Sequence, residues 1–215
     1  MKKKQKQKKN IKKMQKSIFL IFFWTFFSYT LFAITIPDTI ITKCNTAKDV
    51  QILSHREKGV ILYVNIARYY PKYFLDNILI PYMDSAKTNK KSMFYKTLLT
   101  DLNNAKSLNP LTFNAKLYPI AKKQARNMGW SGKVGHSSSR GKTFEERTVD
   151  FSRCGEDCSY GYRNDLDIVF QLMLDEGVPS LGHRKNILDP SYKTIAVSIY
   201  RHRKYKWNCV IDFAL

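Results

Sequence analysis

The run Ser17–Ile36, SIFLIFFWTFFSYTLFAITI, contains no charged residue and follows sixteen residues that hold nine lysines and no acid. A stretch so uniformly apolar offers no polar face to solvent, which sets it apart from the amphipathic helices of a globular domain. A basic segment followed by an apolar one is the pattern of a secretory leader. Twenty helical residues reach about 30 Å, long for a leader and enough to span a bilayer. Ala33 is a candidate cleavage point, although Leu31 is not the small residue wanted two positions before it. Residues 1–36 are therefore read as a signal peptide or an uncleaved signal anchor. In either case the lysines stay cytosolic and the remainder is translocated. The domain is then secreted and extracellular, or membrane-anchored through residues 17–36 and held outside the cytosol.

Removing nine lysines and no acid from a formal charge of +20 leaves +11 on the rest of the chain. A basic domain favours anionic surfaces. Lysine and arginine are spread through every segment, with no aromatic-spaced basic helix and no RNA-binding signature, so nucleic acid is not expected as a partner. The four cysteines, Cys44, Cys154, Cys158 and Cys209, suit disulfides in a translocated domain and allow three pairings. On an extended segment Cys154 and Cys158 lie on one face roughly 13 Å apart. That is too far to bridge each other, so Cys44 and Cys209 would be their partners. A four-cysteine zinc site lacks its usual ligand spacing.

Residues 37–54 read as a polar linker. Val60, Tyr63, Val64 and Ala67 then recur at helical spacing, in a helix ended at Tyr70-Pro71. Residues 74–94, with Asn77, Pro81 and a polar run, read as a surface loop. Further helices are expected over Phe94–Leu108 and from Asn114 to about Trp130, the second with Pro119 in its tolerant first turns. A Gly/Ser-rich loop around His136 follows, then a short strand around CGEDCSYG and a helix over DLDIVFQLMLDEG that ends near Gly177 and Pro179. Thr194–Tyr200 and Trp207–Ala214 form an antiparallel hairpin across the basic turn RHRKYK. Helices followed by a terminal hairpin argue an α+β fold with a layered core.

Chemistry concentrates between His136 and His183, in polar loops that interrupt apolar segments. Two histidines far apart in sequence, each beside a glycine, can converge on a divalent metal, and neutral imidazole suits zinc. The plainer alternative is two histidines satisfied by backbone hydrogen bonds, which is the reading for His55 and His202. Glu156 is a candidate general base or a carboxylate that orients an imidazole; otherwise it is a surface acid paired with lysine. Asp175 and Glu176 end a helix, where negative charge opposes the dipole. No nucleophile elbow, P-loop, Rossmann glycine pattern or HExxH motif is present.

Five pieces in order carry a resemblance. They are VNIARYYPKYF, NAKLYPIAKKQARNM, VGHSSS, CGEDCSYG and LDEGVPSLGHRKNILDPSYKTIAVS. Together the pieces resemble the CAP superfamily (cysteine-rich secretory proteins, antigen 5, pathogenesis-related 1), or SCP-like extracellular domain, over about residues 55–215. The resemblance implies an α-β-α sandwich and a cleft tetrad, carried here by His136, Glu156, Asp175 and His183. It implies that the histidines hold zinc or another divalent cation, with Glu156 and Asp175 as acids that bridge to it or orient the ligands. It further implies a non-enzymatic module for a lipid or sterol ligand or a protein partner. A metal-dependent hydrolase, protease or esterase, with Glu156 activating a metal-bound water, is the alternative. Asp157 stands where the family has asparagine, and Glu176 is a second candidate for the acid placed at Asp175.

Overall fold

The computed structural model describes residues 35–215, so the leader read at 1–36 falls outside them except for its last two positions. No helix among the described residues is long and apolar enough to cross a membrane.

The sheet is built from strands whose apolar residues fill both faces. β1 (Thr112–Phe113), β2 (Cys154–Tyr160), β3 (Thr194–His202) and β4 (Lys206–Ala214) lie in the order β1-β3-β4-β2. β1 runs parallel to β3, and the other pairings are antiparallel. Directly opposed residues share a face, so Glu156, Asp212 and Ala196 point one way while Asp157, Ile211 and Val197 point the other. The expected hairpin of β3 and β4 is present, and β2 joins its outer edge.

Helices cover both faces, which makes the expected α-β-α sandwich of the α+β class. One face takes α6 (Tyr118–Ser131), whose buried stripe is Ala121, Gln124, Ala125, Met128 and Gly129. A Cβ at Gly129 would stand 2.2 Å from the Arg201 carbonyl oxygen, so only glycine lets this helix lie so close to β3. The opposite face takes α2 (His55–Tyr69), α8 (Asp165–Leu174) and α9 (Gly182–Ile187). α2 starts on a capping box: Ser54 Oγ accepts from the Glu57 amide, and Glu57 returns a bond to the Ser54 amide. The second oxygen of Glu57 accepts from the Ile199 amide, which ties the helix start to β3. α2 ends at Tyr69, with Tyr70 as its C-cap immediately before Pro71, as the residue pair predicts.

Two segments differ from their sequence reading. Residues 37–54 are not a polar linker: α1 (Asp38–Cys44) buries Ile40 and Cys44, and Ala47 and Leu53 are buried behind it. Two apolar residues four apart make one stripe on a helix too short to show a longer period. Residues 74–94 are surface loop only over the polar turns 86–92. α3 (Pro71–Tyr73) continues through a π-helical turn, Phe74–Leu79, into α4 (Ile80–Ser85), burying Phe74, Leu75, Ile78, Leu79 and Met83. The wide turn leads into Pro81, a residue that cannot complete α-helical bonding. α5 (Met93–Asn104) follows, capped by Ser92, and α7 (Phe144–Arg147) is a short turn with its own capping box from Thr143 and Glu146.

The cysteines are a further correction. All four are free thiols, and the strand register explains it for three of them. Cys154 and Cys158 share a face with Glu156, whereas Cys209 opposes Ser159 and lies on the other side of the sheet. A bridge from either to Cys209 would have to pass through the sheet.

Candidate functional site

Two arginines within the sequence pieces are scaffolding. Arg68 and Arg184 are each 1% exposed. Arg68 donates to the carbonyls of Ile187, Asp189 and Tyr192, which holds the segment after α9 against α2. Arg184 spends its donors on the carbonyls of Met173, Leu174 and Phe94, on Thr97 Oγ1 and on Asp101. Such a planar, multiply bonded guanidinium locks α9 to α5 and to the end of α8. His183 is the residue before it.

Asp175 receives that histidine. It sits at the C-cap of α8 in the left-handed region, φ 56°, which aspartate tolerates better than most residues. One carboxylate oxygen meets His183 Nδ1 at 2.5 Å and the other accepts from the Arg184 amide at 2.9 Å. The acid that opposes the helix dipole thus has a defined task. Glu176, the alternative, is exposed, so Asp175 is the partner of His183.

His136 is held by a second carboxylate. Its loop is pinned from three elements: the Gly135 amide donates to Tyr160 Oη, Gln124 Nε2 donates to the Gly135 and Ser137 carbonyls, and Arg147 Nη2 donates to the His136 carbonyl. His136 Nδ1 lies 3.0 Å from Glu156 Oε1, and Arg147 Nη2 donates to Glu156 Oε2 at 2.8 Å. The Glu156 side chain is 1% exposed and that of His136 53%. The hydrogen bond to Glu156 raises the His136 pKa against the opposing effect of burial. The neighbouring Gly155 is required by space, since a Cβ there would meet Tyr192 Oη at 2.5 Å.

His136, Glu156, Asp175 and His183 are therefore arranged as two histidine–carboxylate pairs. In each, Nδ1 faces the acid, which leaves Nε2 as the free imidazole nitrogen. Among the described residues, one group of three or more metal-ligating side chains has its atoms mutually within 4.8 Å: His136, Glu156 and Cys158. His183 and Asp175 fall outside it. Cys158 Sγ is 3.9 Å from His136 Nδ1, but burial pushes its thiol pKa well up and keeps it protonated. His202 has the plainer role expected for it, bonded through Nε2 to the Lys133 carbonyl and through Nδ1 to the Lys204 and Tyr205 amides.

Three further residues adjoin the site, and two of them, Asp212 and Arg147, were not singled out from the sequence. Asp212, directly opposite Glu156, is fully buried with both oxygens lacking a hydrogen-bond donor. Burial, and then the charge of Glu156, raise its pKa well above the carboxylate range, so it is a neutral acid. Asp157, on the other face, is raised by burial too, although Asn186 Nδ2 donates to it at 2.7 Å. Arg147 is the third. A carboxylate inside the apolar strand WNCVIDFA was a visible signal for Asp212; Arg147 carried none.

The family model for the cysteine-rich secretory protein (CAP) family matches residues 62–213. The chain belongs to the CAP family. No curated protein matches it. Among solved structures, an extracellular SCP-domain protein from Bacillus anthracis str. Ames is 19% identical with a TM-score of 0.42, covering 55% of this chain and 39% of that one. An outer surface protein from Borrelia burgdorferi is 22% identical with a TM-score of 0.42, covering 58% of this chain and 90% of its own. The chain thus spans well under half of the Bacillus protein. The matched CAP region contains every residue of the two pairs.

Proposed function

We propose that this CAP domain is an extracellular, non-enzymatic binding module whose two histidines hold a divalent cation and whose ligand is a lipid or a protein partner. The extracellular placement draws on the leader pattern and on the secretory name of the matched family. The observation that carries the metal reading is the shared form of the two pairs. A histidine that ligates a metal through one nitrogen characteristically gives the other to a carboxylate, which sets its tautomer and orientation. His136 with Glu156 and His183 with Asp175 both do so, with the two acids 1% and 0% exposed.

Imidazole nitrogen suits such an ion: in this reading His136 and His183 would hold it through Nε2, with Glu156 and Asp175 orienting the rings. Two protein imidazoles would leave coordination positions on zinc for an outside ligand. Both oxygens of Glu156 are already engaged, by His136 and by Arg147, which favours an orienting role over that of a base for water.

Calorimetric titration of Zn²⁺ into the full chain and into H136A/H183A tests the reading. Binding to the wild type that is lost in the double variant supports it, and affinity should weaken as pH falls through the raised His136 pKa, since a protonated imidazole cannot ligate. Equal binding by both proteins, or none by either, would overturn it.

A further inference from the structure

The outward face of α6 carries Pro119, Lys122, Lys123, Arg126 and Trp130 at spacings of three and four, and the helix has no acidic residue. Three cavities follow it. The first, about 630 Å³, is lined by Lys123, Arg140, Lys142 and Arg147 among others. The second, about 390 Å³, shares Pro119, Lys123 and Asn127 with the first and adds Lys122, Arg126 and Trp130. The third, about 700 Å³, shares Trp130 and adds Arg201, Arg203, Lys206 and Trp207 from the β3–β4 hairpin. They adjoin in this order as an interrupted groove, the second and third meeting at Trp130, and Pro119 to Trp130 alone spans about 16 Å of helix.

Most of its cations are not neutralised by acids, although Lys122, Arg126 and Arg201 lie over the rings of Tyr118, Tyr200 and Trp207. Except for Arg147, none of these lysines or arginines makes an ion pair among the described residues. The acid lining the first cavity, Glu146, is bonded to the Thr143 amide as a helix cap. Arg147 has a side chain only 7% exposed, and its Nε and Nη1 are buried without a hydrogen-bond partner. Trp130, in contrast, is 70% exposed.

We infer that this groove binds an acidic polysaccharide, its carboxylate or sulfate groups meeting the lysines and arginines and one sugar ring lying on Trp130. The linear run of concavities suits an extended polyanion better than a flat bilayer surface. Single-stranded nucleic acid is held by successive bases stacked on successive aromatics. Here Arg163 and Arg201 already cover Trp207 at 4.5 and 5.3 Å, and Arg126 lies 5.8 Å from the Tyr200 ring centre, so Trp130 is the free face among these rings. The groove touches the histidine site only at Arg147, which the test variants leave unchanged, so the proposal is tested independently of that site.

The test measures binding of a heparin hexasaccharide to the full chain at increasing salt. R126E/R203E reverses two exposed groove charges, and K96E/K106E makes the same charge change at exposed positions on and after α5. The leader lysines are common to all. The groove variant should bind about tenfold or more weakly and the control within about twofold of wild type, with a shallower salt dependence for the groove variant alone. W130A should lose affinity while keeping the salt dependence. Equal losses in groove and control variants would overturn the inference. So would tighter, groove-dependent binding of a single-stranded RNA or of phosphatidylserine vesicles, which would assign the groove to that class instead.

Discussion

At Asp212 a carboxyl group sits in a central strand with both oxygens buried, opposite the charged Glu156. A buried acid without donors is stable only as the neutral form. Because its folded pKa is raised, its contribution to stability is complete below about pH 4, the unfolded value, and is lost as pH rises through the folded pKa. Asp157 acts in the same sense, and the raised His136 adds a contribution that is complete below about pH 6.5 and lost above its folded pKa. Melting temperature in chelator should therefore fall from mildly acid to alkaline pH. D212N, which stays neutral throughout, should show a flatter profile and melt higher than wild type at pH 8. A uniform loss of stability in D212N would mean that the ionised form is the one the fold needs. Single residues were unevenly legible in the sequence. His136, Glu156, Asp175 and His183 stand in short polar pieces whose order is distinctive. Arg147 reaches Glu156, nine positions further along the chain, across the loop that joins α7 to β2, and nothing in local spacing encodes that contact.

Elements with a long period were readable: α2, α5, α6, α8 and the hairpin all lie where apolar spacing puts them. α1 was not, since seven residues barely display a helical repeat, and the run from α3 to α4 was not, since its π-helical turn breaks the 3.6-residue period and Pro81 reads as a helix breaker. What positions them is packing, which a sequence shows only once its partners are known. α9 makes the same point: six residues long, it is placed by Arg184 rather than by propensity. Replacing Arg184 by alanine should cost about 3–5 kcal/mol in urea unfolding, because it leaves the buried carbonyls of Met173 and Leu174 without donors and opens a cavity where a large side chain was packed. Lysine should recover only part of it, because an ammonium cannot span carbonyls on α8 and α5 together. A loss of less than about 1 kcal/mol would show that α9 is held by its apolar contacts, Ile187 above all.

Over the whole molecule, stability rests on a packed sandwich and not on cross-links. Burial raises all four thiols, Cys44 to about 11, so they are slow nucleophiles in the folded state. Thiol titration in denaturant without reductant should count four, and reductant should leave the melting temperature unchanged. Fewer than four, with a lower melting temperature after reduction, would restore the disulfides expected from composition. The α-β-α architecture was legible from the order of its pieces, whereas the faces of β2 and β4 were not, because register depends on which strands pair. That pairing carries a consequence for how the chain assembles. β4 is last in sequence among the described strands, yet it lies between β2 and β3. During synthesis β2 waits beside an absent neighbour for some fifty residues, with Glu156 and the cysteines on an unclosed edge. Closing the sheet is a late, long-range event, of the kind that makes folding slow. The His136–Glu156 pair, which depends on β2, can be completed only after the core has formed around that final strand, whereas His183 and Asp175 meet between α9 and α8 without it.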